Sequence, residues 1–189
     1  MGQGPAGRAG GPVIAVRPTP EQGPALHAEI LAALPEFWGD RDVRSLHQPV
    51  WLRQFAGDAV VVRGGEVLLG YLLGVVTAGR LAYVQAVATR LPARGRGVGR
   101  LLYDTFLNSA RAQGARRVEA VTTPNNAGSV AFHRRLGFTA EPVADYAGPG
   151  HDRVLFSLAL TPLGPRRAEH APGPGSYPGT PRSDLPQGR

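Results

Sequence analysis

The residues best suited to chemistry form a run of alternating arginine and glycine just before an amphipathic stretch. The run is Arg94-Gly95-Arg96-Gly97-Val98-Gly99, and Arg100 follows it. Glycines let successive amide N–H groups turn toward one point, and they leave room for a ligand near the backbone. The first amides of a helix have no partners inside the helix and lie at the positive end of its dipole. The pattern therefore predicts an anion site, and a phosphate group would suit it.

Other interpretations of the same glycines lead elsewhere. A Walker loop ends in Gly-Lys-Ser/Thr, and the chain contains no lysine. A dinucleotide fingerprint spaces its glycines Gly-x-Gly-x-x-Gly within an early βαβ unit, whereas Gly95, Gly97 and Gly99 alternate in the middle of the chain. A tight turn without any ligand needs the same residue type and stays open as the plain alternative.

A second motif lies further along the chain, and the two together resemble a known family. Residues 125–138 read Asn-Asn-Ala-Gly-Ser-Val-Ala-Phe-His-Arg-Arg-Leu-Gly-Phe. The chain resembles the GNAT superfamily of N-acetyltransferases in both motifs and in their order. The first family pattern is Arg/Gln-x-x-Gly-x-Gly/Ala, and the second is Asn-x-x-Ser/Ala-x-x-Leu/Phe-Tyr-x-x-x-Gly-Phe. The matching residues are Arg94, Gly97 and Gly99, then Asn126, Ser129, Phe132, Gly137 and Phe138, with His133 at the tyrosine position.

The elements that must position these motifs follow from periodicity and from proline and glycine punctuation. Strands are predicted at 13–17, 59–62, 67–76, 81–88, 118–122, 138–143 and 154–160. Helices are predicted at 21–34, ending at Pro35, and at 97–113 and 126–136, with a weaker helical region at 40–55. The helix predicted at 97–113 should have an apolar face that comprises Val98, Leu101, Leu102, Thr105, Phe106 and Ala110. The pattern indicates an α+β domain. The resemblance implies a GNAT-like fold, with a central, mostly antiparallel, splayed mixed sheet of about six to seven strands flanked by about four helices.

The resemblance also implies where acetyl-coenzyme A binds. Strand residues before the glycine run should offer backbone groups to the pantetheine arm, and the run itself should wrap the pyrophosphate through its amides. Asn126 should reach the cofactor from the opposite wall, although Asn is also a favoured helix N-cap. The predicted cofactor-binding residues are Val87, Ala88, Thr89, Arg94, Gly95, Arg96, Gly97, Val98, Gly99, Arg100 and Asn126.

Direct acyl transfer needs a proton donor for the leaving thiolate and an acceptor for the ammonium proton. Many family members place a tyrosine donor where this chain has His133, which can also donate near neutral pH. His133 is therefore the predicted general acid, and the alternatives are a solvated surface histidine or Tyr146 as donor. No base is assigned, because Gln85 cannot accept a proton and Glu119 and Glu36 are equally compatible with solvated positions.

The composition limits the remaining function classes. The chain has no cysteine, which excludes disulfides and thiolate catalysis, and its acidic residues and histidines show no metal-ligand spacing. The formal charge of +7 comes from arginines, several of them near the termini, so nucleic acid is not expected as the main partner. Because neither a long apolar run nor a signal-type N-terminus is present, we predict a cytoplasmic protein without a membrane partner.

The predicted domain covers 13–160, with disordered tails at 1–12 and 161–189 that are rich in glycine, proline and arginine. The predicted acceptor is a small-molecule amine or a protein amino group, bound near 35–47 and 144–151, where Phe37 and Trp38 could shape a pocket. The alternative function is a non-catalytic sensor or regulatory module that binds acyl-coenzyme A. A homodimer formed through a strand edge is left open.

Overall fold

Seven strands form one mixed sheet in the computed structural model, which describes residues 11–161. Their order across the sheet is β1-β2-β3-β4-β5-β7-β6. Within the described residues, β4 and β5 form the one parallel pair, and the other neighbours are antiparallel. The strands are β1 Val13–Val16, β2 Val60–Gly64, β3 Val67–Val76, β4 Leu81–Thr89, β5 Arg117–Thr122, β6 Thr139–Val143 and β7 Arg153–Ala159. This confirms the predicted mostly antiparallel mixed sheet. Apart from residues 11, 12 and 161, the predicted tails lie outside the described residues.

Five α-helices flank this sheet in the described part of the chain. They are α1 Gly23–Ala32, α2 Leu34–Trp38, α3 Val50–Arg53, α4 Val98–Ala112 and α5 Ala127–Arg135. The prediction that Pro35 ends the first helix is wrong. Pro35 lies in the first turn of α2, where a helix tolerates proline because the missing N–H would have no partner there. The weaker helical region at 40–55 contains only α3 and one short 3-10 turn, Arg44–Leu46.

Two apolar cores lie on opposite faces of the sheet. On one face α4 and α5 pack over β2 to β7, and on the other α1 to α3 pack over β2, β3 and β4. The buried side of α4 differs from the predicted one, because Tyr103 and Leu107 are buried whereas Leu101 and Thr105 are only partly so. The two faces will be called the α4 face and the α2 face.

Strand β4 carries a bulge in its middle. The register with β3 passes from Leu73↔Ala86 to Gly74↔Val84, so Gln85 has no opposite residue. Val84 packs in the core of the α4 face, whereas Ala86 packs in the core of the α2 face. An extra residue in one strand increases its local twist and disrupts the ladder, so β4 turns away from its former plane at this point.

The pairing between β4 and β5 ends beside this bulge. Its last registered pair is Val84↔Ala120, yet β4 stays paired with β3 as far as Thr89, and β5 stays paired with β7 as far as Thr122. The two central strands therefore separate beyond Val84 and Ala120, which we call the apex of the gap. The predicted splay of the sheet is confirmed.

Candidate active site

The glycine run forms the turn that leads into α4. Gly97 is the N-cap of α4 and has φ +82°, and Gly95 has φ +76°. L-residues with a side chain rarely adopt this left-handed region. A Cβ at either glycine would have no atom within 4 Å, so open space surrounds the backbone here. The buried side chain of Val98 holds the first turn of the helix against the core of the α4 face. The turn thus presents backbone, rather than side chains, at the positive end of α4.

The third glycine of the motif has a packing role. A Cβ on Gly99 would lie 3.0 Å from Cζ of Phe132 on α5 and 3.6 Å from Oγ1 of Thr89 on β4. Gly99 therefore lets α4, α5 and the end of β4 approach one another. Two motifs that are separate in the sequence meet at this point of the fold.

The end of β4 borders the gap, as the predicted pantetheine site requires. Residues 85–89 lie beyond the apex, where the structure gives them no strand partner on the β5 side. Val87 packs against the core of the α4 face, and Thr89 approaches Gly99 on the same side, whereas Ala88 is buried on the α2 face. Their contact with a pantetheine arm stays a prediction.

Asn126 caps α5 at its N-terminus. Its Oδ1 accepts a hydrogen bond from the Ser129 amide at 3.2 Å, and its Nδ2 donates to Oγ1 of Thr122 at 2.9 Å. The capping role is confirmed, and it fixes the start of α5 to the end of β5. A direct contact between Asn126 and the cofactor stays a prediction.

The arginines of the run differ in what they contact. Arg94 donates from Nη2 to the carbonyl oxygen of Phe37 at 2.8 Å and so connects the turn to α2. Arg96 and Arg100 are exposed beside the turn, where their charge favours an anion. The structure thus places one of the predicted phosphate arginines against a helix on the other face of the sheet.

Arg90 strengthens the same connection and was not predicted. It forms an ion pair with Glu36, its guanidinium lies 5.3 Å from the ring centroid of Phe37, and its Nε donates to the Leu68 carbonyl at 2.9 Å. Helix α2 has only five residues. The two arginines after β4 therefore hold a helix too short to be stable by itself. The position of Arg90 directly after β4 was the one signal that could have indicated it.

His133 lies inside the α4 face rather than at the surface. It is 3% exposed, and its ring stacks on that of Phe156 with the centroids 3.9 Å apart. Its Nδ1 lies 2.9 Å from the Ser129 carbonyl, which can only accept, so Nδ1 carries the proton. Its Nε2 therefore accepts from the hydroxyl of Tyr103 at 2.6 Å. Burial lowers the pKa of His133 to about 4, against a smaller opposing effect of the Ser129 carbonyl.

This environment bears on both interpretations of His133. The alternative of a solvated surface histidine is wrong, because the ring is enclosed by aromatic side chains of α4, α5 and β7. Phe156, on which the ring stacks, is the register partner of Ala120 at the apex. The ring is neutral at physiological pH, and both of its nitrogens have partners. Its role as general acid stays a prediction.

A related polar network lies on the α2 face and was also missed. The indole of Trp38 donates to the hydroxyl of Tyr71 at 2.7 Å, and that hydroxyl lies 2.8 Å from Nε2 of His47. Since Nδ1 of His47 donates to the Val43 carbonyl at 2.7 Å, the Tyr71 hydroxyl donates to Nε2. Phe37, predicted to shape a pocket, is fully buried and belongs to the core. The spacing of these residues along the chain gives no local signal of their contact.

The arrangement suits a long cofactor with a pyrophosphate and an extended arm. Open backbone at the start of α4 can hold phosphates, and the gap beyond the apex exposes strand edges that can bond to an amide-bearing arm. Among residues 11–161 no three side chains of the metal-binding types lie close enough together to hold an ion. None of the helices in this part of the chain could cross a membrane.

Comparison with known families decides the classification. The model of the acetyltransferase (GNAT) family matches residues 23–138, which is more than half of the chain. The chain belongs to the GNAT acetyltransferase family. It is an acyltransferase of that family, and acetyl-coenzyme A is the acetyl donor.

Individual relatives agree with this GNAT assignment. The L-methionine sulfoximine/L-methionine sulfone acetyltransferases of Pseudomonas aeruginosa and Pseudomonas paraeruginosa are 26% identical to this chain over 150 residues. These alignments cover 73% of this chain and 87% of each relative. The structure of yncA from Salmonella typhimurium, solved with acetyl-coenzyme A, has a TM-score of 0.58 and 22% identity and covers 83% of this chain and 99% of its own. The ribosomal-protein-S18-alanine N-acetyltransferase of Escherichia coli has a TM-score of 0.59 at 14% identity and covers 82% and 98% of the two chains.

Proposed function

We propose that this protein transfers an acetyl group from acetyl-coenzyme A to a primary amine, by direct attack of the amine at the apex between β4 and β5. The observation that carries the proposal is the interrupted pairing beyond Val84 and Ala120, next to an open glycine turn at the start of α4. Since both the turn and the start of α5 belong to the α4 face, the cofactor enters the gap from that face. The amine then approaches from the α2 face.

The chain's own groups supply position and polarity for the reaction. Amides of Val98, Gly99 and Arg100 hold the pyrophosphate, and Arg96 and Arg100 add positive charge around it. The backbone of Val87, Ala88 and Thr89 holds the pantetheine arm against β4. A backbone amide near the bulge at Gln85 donates to the thioester oxygen as negative charge develops on it.

His133 is the proposed donor to the leaving sulfur. Its stacking on Phe156 brings the ring beside the apex on the face from which the cofactor enters. Because the ring is already neutral, it can give its Nδ1 proton to the sulfur only if Nε2 takes up the Tyr103 hydroxyl proton in the same step. The Nδ1–H must also leave the Ser129 carbonyl, and a proton released by the amine then restores the pair. Turnover of His133→Phe at the wild-type rate would end this part of the proposal.

The first acceptors to test are free amino acids with a polar side chain. The Pseudomonas relatives are named for acetylating L-methionine sulfoximine and L-methionine sulfone. The amine panel therefore contains these two compounds, spermidine, and a short peptide with a free N-terminal alanine. The peptide represents the protein amino group as acceptor.

The test measures thiol release from acetyl-coenzyme A over this panel, together with calorimetric binding of the cofactor. We expect release that depends on both the cofactor and one class of amine. Cofactor binding without release from any amine would favour the sensor over the enzyme. Absence of cofactor binding would contradict both.

A further inference from the structure

The α2 face of the sheet has a part that no helix of residues 11–161 covers. The sheet residues in the core of that face belong to β2, β3 and β4. The β4 residues among them are Ala86 and Ala88, which both lie beyond the bulge. Residues of β5 and β7 that point the same way are all partly or fully exposed. This open surface begins at the apex.

Two side chains form the last row on that surface before β4 and β5 part. Tyr83 on β4 and Glu119 on β5 are register partners, one residue before the apex pair Val84↔Ala120. Val84 and Ala120 point into the core of the α4 face, so Tyr83 and Glu119 point to the α2 face. A strand advances by about 3.3 Å per residue, so the Glu119 carboxylate is within side-chain reach of the apex.

The carboxylate of Glu119 has one ion-pair partner and room for further hydrogen-bond donors. Its Oε1 lies 2.9 Å from Nε of Arg117 in an ion pair, and its side chain is 20% exposed whereas that of Arg117 is 57% exposed. The described residues provide no hydrogen bond to this carboxylate. A carboxylate has room for several donors, so the second oxygen can accept from an ammonium group.

The groups around Glu119 favour a cation. Tyr83 lies beside it on β4, and Ser157 is its uncharged register partner on β7. Burial raises the pKa of the Tyr83 phenol, and the nearby Tyr146 and Glu119 side chains raise it further, so the phenol stays neutral. Arg153 on β7 and Glu141 on β6 point to the same face but belong to rows further along the strands. Arg117 is thus the one cation in direct contact with the carboxylate among the described residues.

We infer that Glu119 is a catalytic residue that receives the proton of the acceptor's ammonium group at the apex, beside the Tyr83 side chain on the same face of the sheet. This inference rests on the proposed acetyl transfer. Two other candidates are less well placed. Glu36 lies on α2 and pairs with Arg90, which is six residues beyond Val84 of the apex pair, and Gln85 cannot accept a proton.

Proton transfer to Glu119 comes before the transfer of the acetyl group. The ammonium gives one proton to the Glu119 carboxylate, directly or across one bridging water molecule. The nitrogen lone pair then forms the bond to the carbonyl carbon, and the carbon–sulfur bond breaks to give the thiolate. The thiolate takes its proton from His133, and the second proton of the nitrogen replaces the proton lost there. Protonated Glu119 then returns its proton to solvent.

The test compares three variants across pH, with the most active amine of the panel described above. Glu119→Gln should lower kcat/KM near pH 7 by about 100-fold or more, the usual contribution of a general base. The deficit should shrink toward about pH 10, where more of the amine is already neutral in solution. The Kd for acetyl-coenzyme A should stay within about twofold, because cofactor and base lie on different faces.

Two matched variants separate catalysis from structure. Arg117→Gln breaks the same ion pair but keeps the carboxylate, and Glu141→Gln makes the same charge change on the same face. Glu141→Gln should retain kcat/KM within about threefold. Arg117→Gln removes only the ion-pair partner of the carboxylate, so its loss should be far smaller than that of Glu119→Gln, since partly exposed ion pairs contribute little. An equal loss in Arg117→Gln and Glu119→Gln, or a loss that is the same at every pH, would overturn the inference. If the wild type turns over no amine, the proposed function itself fails and the inference falls with it, whereas an active wild type with a fully active Glu119→Gln refutes the inference alone.

Discussion

The hydroxyl of Tyr103 on α4 donates to Nε2 of His133 on α5 across 2.6 Å, and the sheet carries a matching pair on its other face. There the hydroxyl of Tyr71 donates to Nε2 of His47 at 2.8 Å. In both pairs the histidine Nδ1 donates to the carbonyl of the residue four positions earlier. Each ring is thereby fixed as one neutral tautomer in a nonpolar environment, which makes both pairs sensitive to acid.

The first prediction concerns stability in acid. Since burial lowers the pKa of His133 to about 4 from an ordinary value near 6.5, protonation is disfavoured in the folded state. The stability that the buried neutral ring contributes is therefore fully present above about pH 6.5. It is lost as the pH falls toward 4, by an amount of the order of 3 kcal/mol. Urea unfolding followed from pH 7 to pH 4 should show this loss. His47, whose pKa burial also lowers, should add to it.

Two matched variants test whether His133 causes that loss of stability in acid. His133→Phe should be less stable at neutral pH, because the Tyr103 hydroxyl loses its acceptor, but it should depend less on pH. Replacing His151, an exposed histidine of the loop between β6 and β7, by glutamine should leave the wild-type pH dependence intact. Identical pH profiles for wild type and His133→Phe would contradict the assignment.

The second prediction tests the network on the α2 face. Tyr71→Phe removes a fully buried hydroxyl that accepts from Trp38 and donates to His47. The buried Nε2 of His47 and the partly buried indole N–H of Trp38 then lack partners, so the free energy of unfolding should fall by about 2 kcal/mol. Chemical denaturation measures it, with Tyr146→Phe as control. Tyr146 is 46% exposed, and its loss of a hydroxyl should change stability by less than about 0.5 kcal/mol.

The third prediction separates backbone strain from cofactor binding. Gly97 and Gly114 flank the two ends of α4, with φ +82° and +85°, and an added Cβ would have no atom within 4 Å at either. Alanine at either position should therefore lower the free energy of unfolding by about 1 kcal/mol or slightly more, because a Cβ disfavours the left-handed backbone conformation. Only Gly97→Ala should weaken the binding of acetyl-coenzyme A, by about tenfold, because only that turn belongs to the proposed phosphate site. Calorimetry on both variants decides it, and equal affinities would refute the phosphate site.

The fourth prediction concerns the link between the glycine turn and α2. Arg94→Gln should lower stability by about 1 kcal/mol, because the Phe37 carbonyl loses its charged donor. Arg96→Gln makes the same charge change in the same turn, at a side chain for which the described residues provide no hydrogen bond. Their effects on cofactor affinity should be similar, while the KM for the amine should rise further in Arg94→Gln. Equal stabilities and equal KM values would mean that the contact with α2 has no effect.

The sequence was informative where function depends on contiguous residues. Gly95, Gly97 and the N-cap Asn126 shape the backbone of their own neighbourhood, so their spacing predicted two helix starts correctly. Pro35 shows the limit of such local rules. Proline is unfavourable inside a helix but well accommodated in its first turn. Only the packing of Leu34 and Phe37 places Pro35 in the first turn of a new helix.

The sequence by itself determined the family motifs, the turn before α4 and the identity of most strands, because backbone preference and alternation act over a few residues. Only the tertiary structure decided that His133 is buried against Tyr103 and Phe156, that Arg94 reaches α2, and that Glu119 lies opposite Tyr83, one residue before the apex. These contacts join residues far apart in the chain, and they depend on strand register and on the bulge at Gln85. Register is set by the sum of many packing and ladder interactions, which no local pattern encodes.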